Sequence, residues 1–142
     1  DQVAYWIRSI QPDVVLAHDP WKRYRLHPDH RNAGWLALDG IVAARDPHYF
    51  SHHGLEIHRP DCALLFEADE PDHVEDISGF VDTKVEALLA HTSQFVTTHA
   101  IPPGDDGTFA TVFGERIRDH AAAIGAATNV ARGEIFKLLN HL

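Results

Sequence analysis

The segment "DVVLAHDPWKRYRLHPDHRNAGWLALDGIVAA", residues 13–44, determines most of the predicted architecture. Its opening part, "DVVLA", is an apolar run typical of a short buried strand. A loop follows, and a helix is predicted from Pro28 to about Ala44, because a proline in the first turn of a helix loses no hydrogen bond. Apolar side chains are spread most of the way around this helix. That spread predicts a helix buried between other elements.

Helix and strand alternate along the rest of the chain. Helices are predicted up to residue 11 and over residues 79–95, 108–125 and 132–139, and strands over residues 62–68 and 73–77. Such alternation is typical of a parallel sheet with helices on its faces. We therefore predict an α/β, Rossmann-like layered fold with a mainly parallel sheet flanked by helices, in a single domain over residues 1–142.

Composition excludes several classes of protein. The formal net charge of −9 argues against a nucleic-acid partner, because such proteins need clustered basic residues to neutralise phosphates. Cys62 is the only cysteine, so no disulfide framework exists, and a cytoplasmic enzyme is the easier interpretation. No apolar run approaches the roughly 20 residues that a membrane span requires.

The beginning of the sequence indicates a fragment. The chain contains no methionine, and Val3, Ile7 and Ile10 already share one helical face before any helix start signal. We therefore expect that an upstream part is missing and that the fold is incomplete at its N-terminus.

Two histidines stand where the first strand's loop meets the helix. His27 and His30 flank Pro28 and Asp29, and ligands of open parallel sheets bind outside the carboxyl ends of the strands. Asp29 can accept the second ring N–H of a metal-bound histidine, as carboxylates near zinc do. Alternatively, these residues cap a helix whose N-terminus favours negative charge. The residues alone leave the chemical role and the capping role equally open.

A zinc site would need further ligands. Catalytic zinc takes three protein ligands and leaves one position for water. His18 and Asp19, at the end of the first strand, are the local candidates. Adjacent residues on an extended segment point in opposite directions, so both can hardly bind one ion.

The same segment resembles the second signature region of the LmbE/PIG-L family of zinc-dependent N-deacetylases, which act on N-acetylglucosamine-containing small molecules and related amides. The similarity rests on His-Pro-Asp-His at residues 27–30, continues through residues 62–95 and extends more weakly over residues 132–136. The resemblance implies that His30 is a zinc (Zn²⁺) ligand and that His27 assists the tetrahedral intermediate. It implies that Asp29 supports these histidines.

The family's other signature, Ala-His-Pro-Asp-Asp-Glu, is absent from this sequence. The resemblance implies that this motif supplies two zinc ligands, a histidine and an aspartate, and the carboxylate base, so we expect the isolated chain to be inactive. Family members often carry a tyrosine two residues before the first histidine of the motif. Arg25 holds that position here and Tyr24 precedes it; with Trp21, these are the predicted substrate contacts.

These observations predict a zinc-dependent hydrolase that removes an acetyl or acyl group from the amine of a small N-acylated amino sugar or related amide. The alternative is a catalytically incomplete fragment, or a sugar- or metal-binding domain without hydrolase activity. A serine hydrolase is disfavoured because no Gly-x-Ser-x-Gly sequence occurs.

Overall fold

The computed structural model describes all 142 residues. In chain order its elements are α1 (Gln2–Ile10), β1 (Val14–His18), α2 (Pro28–Arg45), β2 (Cys62–Phe66), β3 (His73–Asp76), α3 (Val81–Leu89), α4 (Thr108–Thr128) and β4 (Gly133–Leu139). A 3₁₀ turn at Thr92–Gln94 and a π-helical turn at Phe95–His99 follow α3. None of the helices combines the length and the apolar character needed to cross a bilayer.

The four strands form one mixed sheet in the order β1-β2-β4-β3. β1 and β2 are parallel, with His18 opposite Phe66, whereas β2 and β4 are antiparallel, with Leu64 opposite Leu138. The fold is therefore α/β, but the expected mainly parallel sheet is not confirmed. The helix predicted over residues 132–139 is wrong. This segment is β4, because pairing with the second edge of β2 satisfies backbone groups that a short terminal helix would leave exposed.

The chain divides into two compact units, Asp1–His73 with Ile135–Leu142, and Val74–Glu134. The prediction of a single domain stays a prediction. Small side chains dominate the core of the first unit, which lets α1 and α2 approach the sheet closely: Ala4, Ile7, Ala17, Ile41, Ala43, Ala44, Ala63 and Leu65. A Cβ atom on Gly40 of α2 would lie 2.4 Å from Cγ1 of Val3 on α1. Glycine is therefore required where these two helices cross.

Helix α2 is not buried all round, so that expectation is wrong. Trp35, Leu36 and Val42 are 39%, 60% and 47% exposed. Only one side of α2 packs against α1 and β1, because no other element of the first unit covers its outer face. The helix that begins at Pro28 is otherwise as predicted.

In the second unit, α3 and α4 both end at positions that differ from the prediction. α3 ends at Leu89, several residues early, and α4 continues past Gly125 to Thr128, where Asn129 closes it at φ 64°. Gly125 is no stop signal. A Cβ there would lie 2.6 Å from the carbonyl oxygen of Val130, so glycine allows the chain to fold back onto the helix.

Candidate metal centre

The candidate site lies at the carboxyl edge of the parallel pair β1 and β2. β1 ends at His18 and β2 at Phe66, and these two residues are opposite each other in the register. Glu67 therefore leaves the sheet beside His18. The loop from β1 leads to α2, whose first turn carries His30. This is the edge at which ligands of open α/β sheets bind.

Three potential metal ligands meet at this edge. Nδ1 of His18 lies 3.3 Å from Oε2 of Glu67, and Nδ1 of His30 lies 3.9 Å from the same oxygen. The two imidazole rings stack, with centroids 4.4 Å apart. One ligand atom from each residue lies within 4.8 Å of the others. His18, His30 and Glu67 are hereafter called the edge cluster.

Electrostatic effects at the edge cluster favour a neutral His18 and an ionised Glu67. Burial, together with His30 and Arg25, lowers the pKa of the His18 imidazole, although Glu67 acts in the opposite direction. Burial acts to raise the pKa of the Glu67 carboxyl. The hydrogen bond and charge of Arg25, with help from the two imidazoles, outweigh burial and lower that pKa. A neutral imidazole and an ionised carboxylate are the forms that bind metal ions.

The donor set fits zinc. Two imidazoles and one carboxylate are one of the three-ligand combinations found at catalytic zinc ions. In addition, Nδ1 of His18 is buried and makes no hydrogen bond of normal geometry. A buried ring nitrogen without a hydrogen bond is costly unless something else binds it. The residues present therefore suit a zinc ion.

Arg25, predicted as a substrate contact, contacts two residues of the edge cluster, and its substrate role stays a prediction. Its Nη1 atom is 2.6 Å from Nδ1 of His30 and 2.7 Å from Oε2 of Glu67. The Arg25 side chain is 13% exposed. Its guanidinium therefore faces the ligand atoms rather than solvent.

His27 caps α2. Its Nδ1 atom accepts a hydrogen bond from the backbone N–H of Asp29, at 3.3 Å, so the capping role that the sequence left open is present. The Asp29 carboxylate is 3.8 Å from Nδ1 of His27, too far for a hydrogen bond. The His27 ring lies 5.3 Å from that of His30, and its side chain is 63% exposed. Its Nε2 atom thus remains available to a substrate.

The basic loop before α2 is tied to the residues after β2. Arg23 donates to the Asp69 carboxylate at 2.5 Å, and Lys22 donates to the carbonyl of Ala68. Asp19 accepts from the backbone N–H groups of Trp21 and Asp69. The Asp19 carboxylate therefore fixes the loop, whereas His18 belongs to the edge cluster. The two side chains serve different sites, as expected for adjacent residues that point in opposite directions.

The other predicted substrate contacts are exposed. Tyr24 is 94% exposed and has a φ of 58°. Trp21 is 53% exposed and packs edge to face against Trp35, with ring centroids 5.0 Å apart. Neither side chain contacts the edge cluster in the structure, so both stay predictions.

A second group, Asp1, His52 and His53, also brings possible ligands together. Nε2 of His53 is 2.6 Å from Oδ1 of Asp1, while its Nδ1 faces Nη1 of Arg8 at 3.4 Å. Because the arginine N–H can only donate, the proton of neutral His53 belongs on Nε2, where it is donated to Asp1. Hydrogen bonding explains this group without a metal.

Glu67 is the residue that sequence reasoning missed. Part of its signal was available, because Glu67 lies near the end of the predicted strand over residues 62–68, and His18 directly follows the predicted strand "DVVLA". The missing information was that β1 and β2 are direct neighbours in the sheet. Pairing brings together residues that lie far apart in the chain, and local sequence patterns do not specify it.

No protein-family model matches the sequence. The chain is similar to the diacetylchitobiose deacetylase of Thermococcus kodakarensis, with 35% identity over 92 residues, which cover 63% of this chain and 34% of that protein. It therefore spans about a third of the length of this curated relative.

Two solved structures share the fold. The N,N'-diacetylchitobiose deacetylase from Pyrococcus horikoshii, solved with its inhibitor, superposes with a TM-score of 0.76 at 27% identity, over 98% of this chain and 50% of that one. A conserved protein from Thermus thermophilus gives a TM-score of 0.70 at 25% identity, over 99% of this chain and 58% of that one. The similarity thus extends over nearly the whole chain.

Proposed function

We propose that this chain is part of a zinc-dependent hydrolase that removes the acetyl group from the amine of an N-acetylglucosamine-containing small molecule. The observation that carries the proposal is the placement of His30, the ligand implied by the His-Pro-Asp-His motif, beside His18 and Glu67. Similarity to diacetylchitobiose deacetylases supports the substrate class. A free amino group on the sugar and acetate are the products of this reaction.

His30 holds the metal in this proposal, and His18 and Glu67 offer further ligands from the same chain. A bound zinc ion supplies a hydroxide near neutral pH and polarises the amide carbonyl. The resemblance described above implies two upstream ligands and a base outside this sequence. His30 belongs both to the edge cluster and to the ligand set that the resemblance implies, so the proposal rests on His30.

The side chain of His27 is placed to act as a hydrogen-bond or proton donor toward the substrate. Because Nδ1 accepts the cap hydrogen bond from the backbone of Asp29, the neutral imidazole carries its proton on Nε2. That N–H can donate a hydrogen bond to the developing oxyanion, whereas proton transfer to the leaving amine requires the imidazolium form, in which Nδ1 also carries a proton and the cap hydrogen bond is released. Loss of an oxyanion donor costs about 2.7–4 kcal/mol of transition-state stabilisation, and loss of a general acid costs on the order of 10²–10⁴ in rate.

An exposed aromatic surface beside the β1–α2 loop is the proposed contact for the sugar ring of the substrate. The edge-to-face pair of Trp21 and Trp35 presents exposed aromatic surface beside the β1–α2 loop. Indole rings combine a large apolar face with a polar N–H, which suits a ligand that is part apolar and part hydroxylated. We assign Trp21 to sugar contact and leave Tyr24 as an exposed neighbour on the same loop.

The proposal is tested by measuring free amine released from N,N'-diacetylchitobiose and from N-acetylglucosamine. The sample is the full-length gene product that contains this chain, supplied with zinc. We expect hydrolysis of at least one of these amides. A folded, zinc-loaded protein that leaves both substrates acetylated would contradict the proposed function.

A further inference from the structure

Arg25 contacts the two atoms that a metal ion would bind. Its Nη1 atom is 2.6 Å from Nδ1 of His30 and 2.7 Å from Oε2 of Glu67. We propose that the Arg25 guanidinium occupies the cation position of the edge cluster, so that Arg25 and a divalent metal ion compete for the same ligand atoms. This inference rests on the proposed function for the identity of the metal.

The spacing of the ligand atoms supports direct competition. The arginine holds Nδ1 of His30 and Oε2 of Glu67 3.9 Å apart. Tetrahedral zinc, with bonds of about 2.0–2.2 Å, holds its ligand atoms roughly 3.4 Å apart. A contraction of about half an ångström would therefore convert the arginine-bound arrangement into a metal-bound one. The same two lone pairs cannot serve both cations at once.

The hydrogen bond to His30 also involves the nitrogen atom that a metal would bind. A guanidinium has five N–H donors and no acceptor, so an imidazole nitrogen facing it must carry a lone pair rather than a proton. Nδ1 of His30 faces Nη1 of Arg25 at 2.6 Å. Arg25 therefore holds the two ligand atoms 3.9 Å apart and directed at one cation position while no ion is bound.

The segment around Arg25 can move without disturbing the core. The neighbouring Tyr24 and Leu26 are 94% and 93% exposed. The fixed points of the loop lie earlier, at Lys22 and Arg23, which bind the residues after β2. Release of the Arg25 side chain therefore requires only a local change. Because Arg25 competes for the ligand atoms, it lowers the metal affinity of the site below the value that the ligands alone would give.

The test is a zinc titration of the full-length gene product that contains this chain against a chromophoric chelator, for the wild type and for Arg25→Ala. We expect Arg25→Ala to bind zinc about tenfold more tightly or better, because the ion no longer has to displace two charge-assisted hydrogen bonds. Arg23→Ala is the matched control. It removes the same charge two positions away, from a side chain that binds Asp69 instead, and should change the affinity by less than about threefold.

Two further variants keep the inference falsifiable. Arg25→Gln repeats the test with a neutral polar side chain if Arg25→Ala fails to fold. Adding Glu67→Gln to Arg25→Ala should abolish the gain, because it removes a ligand. The inference is overturned if Arg25→Ala or Arg25→Gln leaves the affinity unchanged or weakens it, if Arg23→Ala gives an equal gain, or if no variant binds zinc.

The titration does not measure hydrolysis, so its result is separate from that of the amine-release assay. A tighter Arg25→Ala site in a protein that hydrolyses neither sugar would support the competition and contradict the proposed activity. Hydrolysis by the wild type, together with an unchanged zinc affinity in Arg25→Ala, would support the proposed activity and contradict the competition.

Discussion

Nδ1 of His27 accepts a hydrogen bond from the backbone N–H of Asp29, at 3.3 Å. One ring nitrogen thus stabilises the start of α2, and the other remains free for a substrate. A cap requires only a hydrogen-bond acceptor, whereas proton transfer requires a titratable group. The two roles of His27 are therefore separable by substitution.

His27→Asn should separate them, because asparagine is among the best N-cap residues but cannot act as a proton donor to a leaving amine. We expect unchanged zinc affinity and unfolding temperature, with kcat lower by on the order of 10²–10⁴. Amine release at saturating substrate measures the effect. His27→Ala, as the comparison, should also lose about 1 kcal/mol of stability with the cap. Wild-type turnover in His27→Asn would show that this histidine only caps the helix.

Gly34→Ala should destabilise the first unit and weaken zinc binding. A Cβ at this position of α2 would lie 2.5 Å from the carbonyl oxygen of His18 and 3.0 Å from Pro20. The usual gain of roughly 1 kcal/mol for alanine in a helix is then outweighed by an overpacking cost of about 1–3 kcal/mol. Because His18 and His30 lie on β1 and α2, separating these elements also separates two of the proposed zinc ligands.

Thermal unfolding and zinc titration of Gly34→Ala measure both effects. Gly79→Ala is the control, because no atom lies within 4 Å of a Cβ there, and it should stay within about 0.5 kcal/mol of the wild type. A more stable Gly34→Ala protein would show that α2 tolerates a shift away from β1.

Arg8→Met should strongly destabilise the first unit. Arg8 is 4% exposed, and it donates hydrogen bonds to backbone carbonyls at the end of α2 and in the segment that follows: those of Ala43, Ala44, Asp46, Tyr49 and Phe50. Each buried group left without a partner costs about 1–3 kcal/mol, so the total loss should be at least about 3 kcal/mol. Denaturant unfolding measures it. The exposed Arg31→Met is the control, and an equal effect of the two substitutions would contradict this account of Arg8.

Asp72→Asn should reveal a pH-dependent contribution of the ion pair with Lys137. The hydrogen bond from Lys137 and that from the backbone N–H of Leu138 lower the pKa of Asp72 below its ordinary value of 3.8. A folded-state pKa below the unfolded-state pKa stabilises the protein at pH values above the unfolded-state pKa. This stabilisation is lost as the pH falls through the folded-state pKa. At about pH 7 the variant should therefore unfold at a lower temperature than the wild type, and the difference should shrink below about pH 4 and vanish once the pH is below the folded-state pKa.

The same unfolding series with Lys137→Met in both backgrounds is the control for Asp72. The effect of Asp72→Asn should shrink once its partner is gone, because the two residues form one interaction. A difference between Asp72→Asn and the wild type that persists unchanged into acid would show that the carboxylate charge is not the source of the stability.

Local patterns predicted the elements around the site well. The strand at residues 14–18 and the helix beginning at Pro28 are both present, because a buried apolar run and a proline at a helix start are local signals. β4 was mistaken for a helix, since its identity depends on pairing with β2. The buried Arg8 was not recognised at all, because its acceptors lie far away in the chain, at Ala43 and Ala44 among others.

The site was predictable only in part for the same reason. His30 and the capping geometry of His27 follow from a short motif, so the sequence contained them. Glu67 and Arg25 join His30 through the parallel pairing of β1 with β2 and through the path of a loop. Neither contact is encoded in a local periodicity, and the motif position of Arg25 predicted a substrate contact without indicating its hydrogen bonds to His30 and Glu67.

Zinc dependence and the role of His30 are both tested by amine release from N,N'-diacetylchitobiose, measured on the gene product after chelation and again after zinc is restored. The wild type should lose activity with its zinc and regain it, whereas His30→Ala should stay inactive at zinc concentrations that restore the wild type. Full turnover in the chelated wild type, or restored turnover in His30→Ala, would contradict a zinc-dependent deacetylase with His30 as its ligand.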